Sequence, residues 1–278
     1  MTSLSRNGQI VFWLLIILTV AIVCFPLYWM VLSSFRPFNE LFSRSLHLLP
    51  TGSFTLANYV QLLHDTLFAR YFLNSLIVST AATLGAVAAA VLAGYGITRF
   101  DFPGRKLLAS SVLFVYMFPP ILLSIPLFVM LKNVGVIDSL GGLALAHISF
   151  TLPLAMWLAI IFFEAIPLEL DEAAMIDGAG RLRALWLVIL PVALPGIVAL
   201  AVFAFIMSWN DYLFALILIV NEQKKTLPVG VAGFVEATSV EWGLLMAGGV
   251  LITLPVLIGF AVVQRWLIHG LAAGAVKG

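Results

Sequence analysis

IVFWLLIILTVAIVCFPLYWMVL, Ile10 to Leu32, is a run of 23 residues without a charge. As an α-helix rising 1.5 Å per residue it is about 34 Å long, enough to cross a hydrocarbon core of about 30 Å. It is too long for the apolar region of a signal peptide, and no small-residue cleavage pattern follows it, so it is expected to stay in the mature chain.

The rest of the sequence repeats this theme. Of 278 residues, 63% are hydrophobic and only 10% charged, against about a quarter charged in an ordinary soluble domain. Mean hydropathy is +1.13. Five further apolar runs follow at about 72–97, 107–131, 143–163, 194–220 and 244–268. The expected fold is therefore an all-α membrane protein with six transmembrane helices. No repeat, low-complexity tract or soluble domain interrupts it, so residues 1–278 read as one membrane domain.

Six spans place both termini on one side. Segments on the side of the N-terminus hold Arg6, Arg99, Arg105, Lys106, Arg181, Arg183, Arg265 and Lys277; the opposite segments hold Arg36, Arg44, Arg70, Lys132, Lys224 and Lys225. The positive excess marks the terminal side as cytoplasmic. Two outer loops are long. In Ser33 to Arg70, Leu56, Tyr59, Leu62 or Leu63, Thr66 and Leu67 recur at helical spacing, which predicts an interfacial amphipathic helix. Asn221 to Gly243, with TLPVGVAGF, reads as an irregular or partly buried hairpin.

Catalytic signatures are absent. There is no G-x-x-x-x-G-K-[ST] phosphate loop, since GAGRLR at Gly178 lacks both the spacing and the lysine. H-E-x-x-H and G-x-S-x-G are also missing, and His47, His64, His147 and His269 are scattered without metal-ligand spacing. His147, near Ser149 and Thr151 in the fourth span, reads as a satisfied packing or pore-lining group. The lone Cys24 can form no intramolecular disulfide and reads as a small core residue.

One cytoplasmic loop, about 164–191, is polar. It carries Glu164, Glu169, Asp171, Glu172 and Asp177, then Arg181 and Arg183. Pro167 suits the first turn of a helix, and Glu169, Asp171 and Glu172 place negative charge at the positive end of the helix dipole. On a helical wheel Leu168, Met175 and Ile176 fall on one side and Leu170, Ala173 and Ala174 on the other, so both sides call for burial. Gly178 supplies the positive φ that stops the helix, and Arg181 to Leu190 forms a second short segment ending at Pro191 and Pro195. The prediction is a cytoplasmic helix-turn-helix.

EAA at Glu172, Ala173 and Ala174, three residues, Gly178, nine residues, then VILP ending in Leu190 and Pro191, resembles the E-A-A, Gly, Ile-x-Leu-Pro signature of ABC importer permeases. Val188 replaces the usual isoleucine. FFEAIPLELDEAAMIDGAG, GYGITRFDFPGRK, SWNDYLFALILI, KTLPVGV and GLAAGAVKG are similar to the smaller six-span partner of maltose-type carbohydrate permeases. The resemblance implies a second homologous permease, two ABC ATPase subunits and an extracytoplasmic sugar-binding protein around this chain in a bacterial-type cytoplasmic membrane. It implies no cofactor on this chain, with ATP and Mg²⁺ held by the ATPases, and no nucleic acid.

The resemblance also assigns roles. The loop helix would dock in a groove of the ATPase, with Glu172 making a charge-assisted contact to the ATPase or to the loop's own amides. Ala173 and Ala174 would be packing surface, Gly178 the turn, and Asp177 a local cap. The tail at Lys277 and Gly278 would lie near the ATPase pair. A sugar path is expected where polar and aromatic groups interrupt a span: Trp209, Asn210, Asp211 and Tyr212 in the fifth, and Asn74 in the second. Pro119, Pro120 and Pro126 predict a kinked third span. Two other classes remain open: a secondary transporter, for which Asp211 is a solitary acid, and a non-transporting membrane scaffold using the same docking loop.

Overall fold

The computed structural model describes residues 6–37, 40, 53–235 and 240–275, the side chains of 6, 113 and 265–275 excepted. Arg44, His47, Lys277 and Gly278, and the side chains of Arg265 and His269, lie outside it. Helices dominate, and among the described residues there is no strand, only an isolated antiparallel bridge between Val235 and Val240. They are α1 (Arg6–Ser34), α2 (Ala57–His64), α3 (Phe68–Arg99), α4 (Arg105–Tyr116), α5 (Pro120–Val134), α6 (Leu140–Glu164), α7 (Glu169–Ile176), α8 (Arg181–Ala184), α9 (Leu190–Trp209), α10 (Leu213–Leu218), α11 (Leu227–Ala232) and α12 (Trp242–Ala275).

Among the described residues, five helices are long and apolar enough to cross a membrane, or six if the bent pair α4 and α5 counts as one span. Where the sequence suggested a kink in the third span, the structure has a break: α4 ends at Tyr116, α5 begins at Pro120, and their axes differ by 102°. Pro119 and Pro120 donate no N–H, so the helix cannot continue through them, whereas Pro120 is well placed in the first turn of a new one. Pro126 sits inside α5 without ending it.

The fifth span also differs from its expected bounds. Arg181 does not open a short separate segment; the chain stays helical from Arg181 to Trp209. Leu185–Ile189 is π-helical, with Leu190 N–H bonded to Leu185 O. This wider turn absorbs the missing donor and the ring of Pro191, which would otherwise clash with a carbonyl four residues back. The span then breaks at Asn210–Tyr212, and α10 follows.

The chain divides by its packing into two compact units, Met1–Phe68 with Val231–Leu254 and Ala69–Gly230 with Pro255–Gly278. In the first, α1 is exposed along most of its length, Trp13 at 60% and Val23 at 65%, and buries its last turn, Leu32 to Ser34; Cys24 is exposed rather than core. A helix this apolar avoids water only if lipid or another protein covers it. The amphipathic stretch becomes α2, shorter than its pattern suggested. It buries Leu62 and Asn58, whose amide donates to Ser34 O and Arg36 O at 2.9 Å, while Leu56 and Leu63 face outward.

The second unit holds the packed core. Ala90, Val91, Ala155, Ala159, Phe163, Leu185, Ile189, Ala193 and Leu200 bring α3, α6, the π stretch and α9 together. The many alanines let backbones approach closely, as membrane helix packing requires. At Gly196 the approach leaves no room for a side chain: a Cβ there would lie 2.6 Å from the Phe162 ring. A second cluster joins Val78, Leu131, Leu143, Phe214 and Leu218. TLPVGVAGF is mostly helical, not a hairpin: α11 starts at Leu227, which is fully buried.

Candidate functional site

The polar loop folds locally as its residues dictate. α7 carries Glu169, Asp171 and Glu172 in its first turn and stops at Gly178, φ +84°. Gly178 N–H bonds to Met175 O at 3.1 Å and Ala179 N–H to Ala174 O at 3.0 Å, the paired closure that a left-handed residue after a helix permits. Asp177 takes the C-cap position, exposed, with its own N–H on Ala173 O.

Burial separates the carboxylates of α7. Asp171 is 5% exposed and Ala174 7%, both on the inner face. Glu172, Ala173, Met175 and Ile176 face outward, Ile176 at 85%. The wheel's two apolar sides are thus mostly exposed in this chain; the burial runs along Asp171, Ala174 and the half-buried Leu170 instead.

Asp171 is the anchor. Arg99 Nε donates to its Oδ2 at 2.8 Å and Tyr95 hydroxyl donates to its Oδ1 at 2.8 Å. Arg99 Nη2 also donates to Ile166 O at 2.8 Å. Arg181 donates to Arg99 O at 3.3 Å, and its guanidinium lies 4.7 Å from the centre of the Phe100 ring. The last turn of α3 therefore holds both ends of the polar loop. Sequence reasoning assigned roles to Glu172 and Asp177 and missed Asp171, Arg99 and Tyr95. The available signal was GYGITR: a tyrosine and an arginine four apart at the end of a span, on one helix face.

The predicted path residues separate into two kinds. Trp209 is buried at 1% exposure, edge-on to Phe72 at 5.4 Å and stacked on Phe205 at 5.5 Å. Asp211 is also turned inward. Its Oδ2 meets His147 Nε2 at 3.0 Å and accepts Ala215 N–H at 3.0 Å; its Oδ1 accepts Phe214 N–H at 3.4 Å. His147 Nδ1 lies 2.6 Å from Ser208 Oγ. The network assigns the proton to Nε2, toward the carboxylate, with Nδ1 accepting from Ser208. Asp211 is thus paired with His147; it ties α6 to the break after α9 and caps α10. Asn210 and Tyr212, alternating with these, are exposed, Tyr212 at 44%.

Asn74 is placed elsewhere. It is buried, and its amide donates to Gln223 O and Lys225 O, both at 2.9 Å. Ser75 Oγ accepts Leu227 N–H at 2.7 Å and Tyr71 hydroxyl donates to Glu222 at 2.6 Å, so the start of α3 organises the loop 221–227. From another side Asp138 Oδ1 accepts the N–H groups of Val220 and Asn221 at 3.0 and 2.9 Å, and Lys224 Nζ reaches Asp138 Oδ2 at 3.1 Å. The Asn221 N–H, then Lys224, hold the Asp138 carboxyl below the usual carboxylate range. Lys225, then Tyr71, do the same for Glu222.

Broken and π-bulged apolar helices around inward polar clusters, with an acidic short helix braced at a span's end, define a multi-pass helical membrane protein. The match to known proteins agrees. Residues 81–272 match the model of the binding-protein-dependent transport system inner membrane component, and the chain belongs to that family. It is 37% identical over 278 residues to the inner membrane ABC transporter permease protein YcjP of Escherichia coli K12, covering 99% of this chain and 98% of that protein. It is 38% identical over 263 residues to the trehalose/maltose transport system permease protein MalG of Thermococcus litoralis, 93% and 94% of the two chains. The fold aligns, TM-score 0.83 at 22% identity, with 99% of a chain in the crystal structure of a bacterial ABC transporter involved in the import of the acidic polysaccharide alginate, covering 95% of this chain. The protein is a permease subunit of a binding-protein-dependent ABC importer, a multi-pass inner membrane component.

Proposed function

We propose that this chain and a second homologous permease together form the translocation path for a sugar or oligosaccharide, coupled through the α7 loop to two separate ATPase subunits. The observation that carries the coupling is the two-sidedness of α7. One side is braced to α3 by a buried ion pair; the other presents Glu172, Ala173, Met175 and Ile176 to solvent. A short helix rigidly fixed on one side with apolar groups on the other transmits force when a partner's groove grips it. Glu172 makes the charge-assisted contact, Ala174 packs toward the brace, Gly178 sets the turn, and Leu190 and Pro191 belong to the π-to-α transition that joins the loop to the fifth span.

The loop and both termini are cytoplasmic in this reading, and a sugar-loaded binding protein docks on the opposite side. ATP and Mg²⁺ sit in the ATPases; this chain is not itself an enzyme. The sugar class is supported by relatives named for trehalose and maltose transport, among them the trehalose permease SugB of Mycobacterium tuberculosis, 36% identical over 263 residues. Asn210 and Tyr212 are the groups of the SWNDY stretch that face the path, with Trp209 and Asp211 holding them in place.

The test is co-expression with the genomic neighbours, affinity purification, and transport and ATPase assays in liposomes with maltose, trehalose and diacetylchitobiose. Wild type is expected to bring down an ATPase and a second permease. Glu172→Ala should lose stimulation of ATPase activity by the sugar-loaded binding protein. A chain that purifies alone, or transport of no saccharide, sinks the assignment.

A further inference from the structure

Between α3 and the fifth span runs a groove of about 540 Å³. Leu84, Ala88 and Leu92, successive turns of α3, form one wall, and Trp186, Leu190 and Leu194 form the other. The only hydrogen-bonding side chain in the lining is the Trp186 indole, so the groove suits a hydrocarbon chain and not a sugar.

Depth fixes which part of the bilayer the groove meets. The 32 residues of α3 make a helix about 48 Å long, which overhangs a 30 Å hydrocarbon core by about 9 Å at each end. Leu92 and Leu84 lie about 10 Å and about 22 Å from its end at Arg99. On the fifth span Trp186 and Ile197 lie about 7 Å and about 24 Å from its start at Arg181. The groove therefore begins where the hydrocarbon begins and stops near the midplane: it is one leaflet deep.

Width separates a lipid chain from a protein helix. Spread along about 16 Å, the volume gives a section of about 34 Å², under half that of a helix about 10 Å across. Leu84 and Leu92, exposed at 66% and 52%, flank the small Ala88 and leave a narrow notch between them.

The mouth is positively charged. Arg183 lies one turn before Trp186 and about 3 Å along the axis from Arg181, at head-group depth. It is exposed and makes no ion pair or side-chain hydrogen bond among the described residues. Arg99, by contrast, is paired with Asp171, and Arg181 is held on Arg99 O and the Phe100 ring. Trp186, 62% exposed, stands at the border of the hydrocarbon, where tryptophan is favoured. A cation above an interfacial indole and an apolar slot complements a lipid with an anionic phosphate head group.

We infer that this groove holds one acyl chain of an anionic phospholipid from the cytoplasmic leaflet, with its head group paired to Arg183. The inference goes beyond the transport reading and takes from it only the cytoplasmic side of the polar loop. The chain lies against Trp186 and Pro191, at the π turn that joins that loop to the fifth span.

The test uses the full-length chain with the subunits that co-purify with it, reconstituted in vesicles of phosphatidylethanolamine and phosphatidylglycerol, then gently extracted for native mass spectrometry. Wild type is expected to retain phosphatidylglycerol in preference to phosphatidylethanolamine. Arg183→Gln should lower that retention about five-fold, the effect of one cation near an anionic surface, while Arg70→Gln at the other end of α3 leaves it unchanged. Ala88→Phe, filling the notch, should remove the lipid whichever head group it carries. Because Ala88→Phe could disturb folding, the surface change Arg183→Gln carries the decision. Equal retention in wild type and Arg183→Gln, or retention indifferent to head group, overturns the inference. A photo-reactive benzoylphenylalanine in place of Ala88 should capture lipid; capture of a second permease there shows that a protein helix fills the groove, and also overturns it. None of these readouts involves transport, so the sugar-importer reading stands or falls separately.

Discussion

Arg99 and Asp171, 72 residues apart in sequence, meet at 2.8 Å with side chains 4% and 8% exposed. This pair joins the last turn of one span to the first turn of α7. Removing one partner of a buried pair strands the other charge and costs about 3–5 kcal/mol. Arg99→Ala should raise hydrogen exchange across 168–178 and weaken ATPase association, whereas Arg99→Lys, lacking the second donor for Ile166 O, should be intermediate. Unchanged exchange in that segment would show that α7 is held by something else.

Gly178, at φ +84°, has no atom within 4 Å of where a Cβ would sit. Any penalty from Gly178→Ala is therefore in the backbone, about 1–2 kcal/mol for a left-handed L-residue. Gly178→Asn should recover much of it, since asparagine tolerates this region. Thermal melting of the purified complex orders the three variants; equal loss for Ala and Asn would contradict a backbone origin.

His147 and Asp211 make the complementary case inside the spans. His147→Ala removes a hydrogen bond to an inward carboxylate, worth roughly 1.5–3 kcal/mol. It should lower thermal stability and loosen Phe150, whose ring centre lies 5.3 Å from that of His147. Asp211→Asn keeps one acceptor oxygen, which can still take Ala215 N–H and His147 Nε2 and loses only the longer Phe214 contact, and should be milder. Comparable melting for His147→Ala and wild type would exclude the pair as a clamp.

Acid should release the loop 219–225 in a defined direction. The Asp138 and Glu222 carboxyls are both held below their ordinary values, so their contribution is present above about pH 4 and is lost as pH falls through the lowered folded values. Limited proteolysis of this loop should accelerate on acidification below that range. In Asp138→Asn, which cannot pair with Lys224 by charge, susceptibility at neutral pH should be higher and the further acid response smaller.

Gly196 packs under Phe162 so closely that Gly196→Ala places a Cβ 2.6 Å from the ring. Overpacking of this kind costs about 1–3 kcal/mol. Adding Phe162→Leu should return most of the lost melting temperature; failure to do so would locate the constraint in the helix backbone.

Sequence reading succeeded where the signal is local. The apolar runs are helices because a bilayer leaves the backbone no other partner, and Gly178 ends α7 because only glycine takes its conformation without strain. It fell short where the signal is a pairing across space. Asp171 and Glu172 are neighbours with similar side chains, and only the approach of α3 decides which is buried. Nothing in the sequence near Asn74 shows that its amide donates to loop carbonyls about 150 residues away. Pro191 looked like a stop until the π turn before it made room for its ring.

The chain's composition and periodicity determined that it lives in a membrane as helices, and the EAA, Gly and Leu-Pro spacing determined its family, because hydrophobic length and short motifs are properties of contiguous residues. Tertiary structure alone decided that Asp211 belongs to His147 and not to open water, that two prolines break the third span instead of bending it, and that the break faces a cavity between helices. Those outcomes depend on which side chains from distant helices meet at one depth, and a one-dimensional pattern holds no such distances.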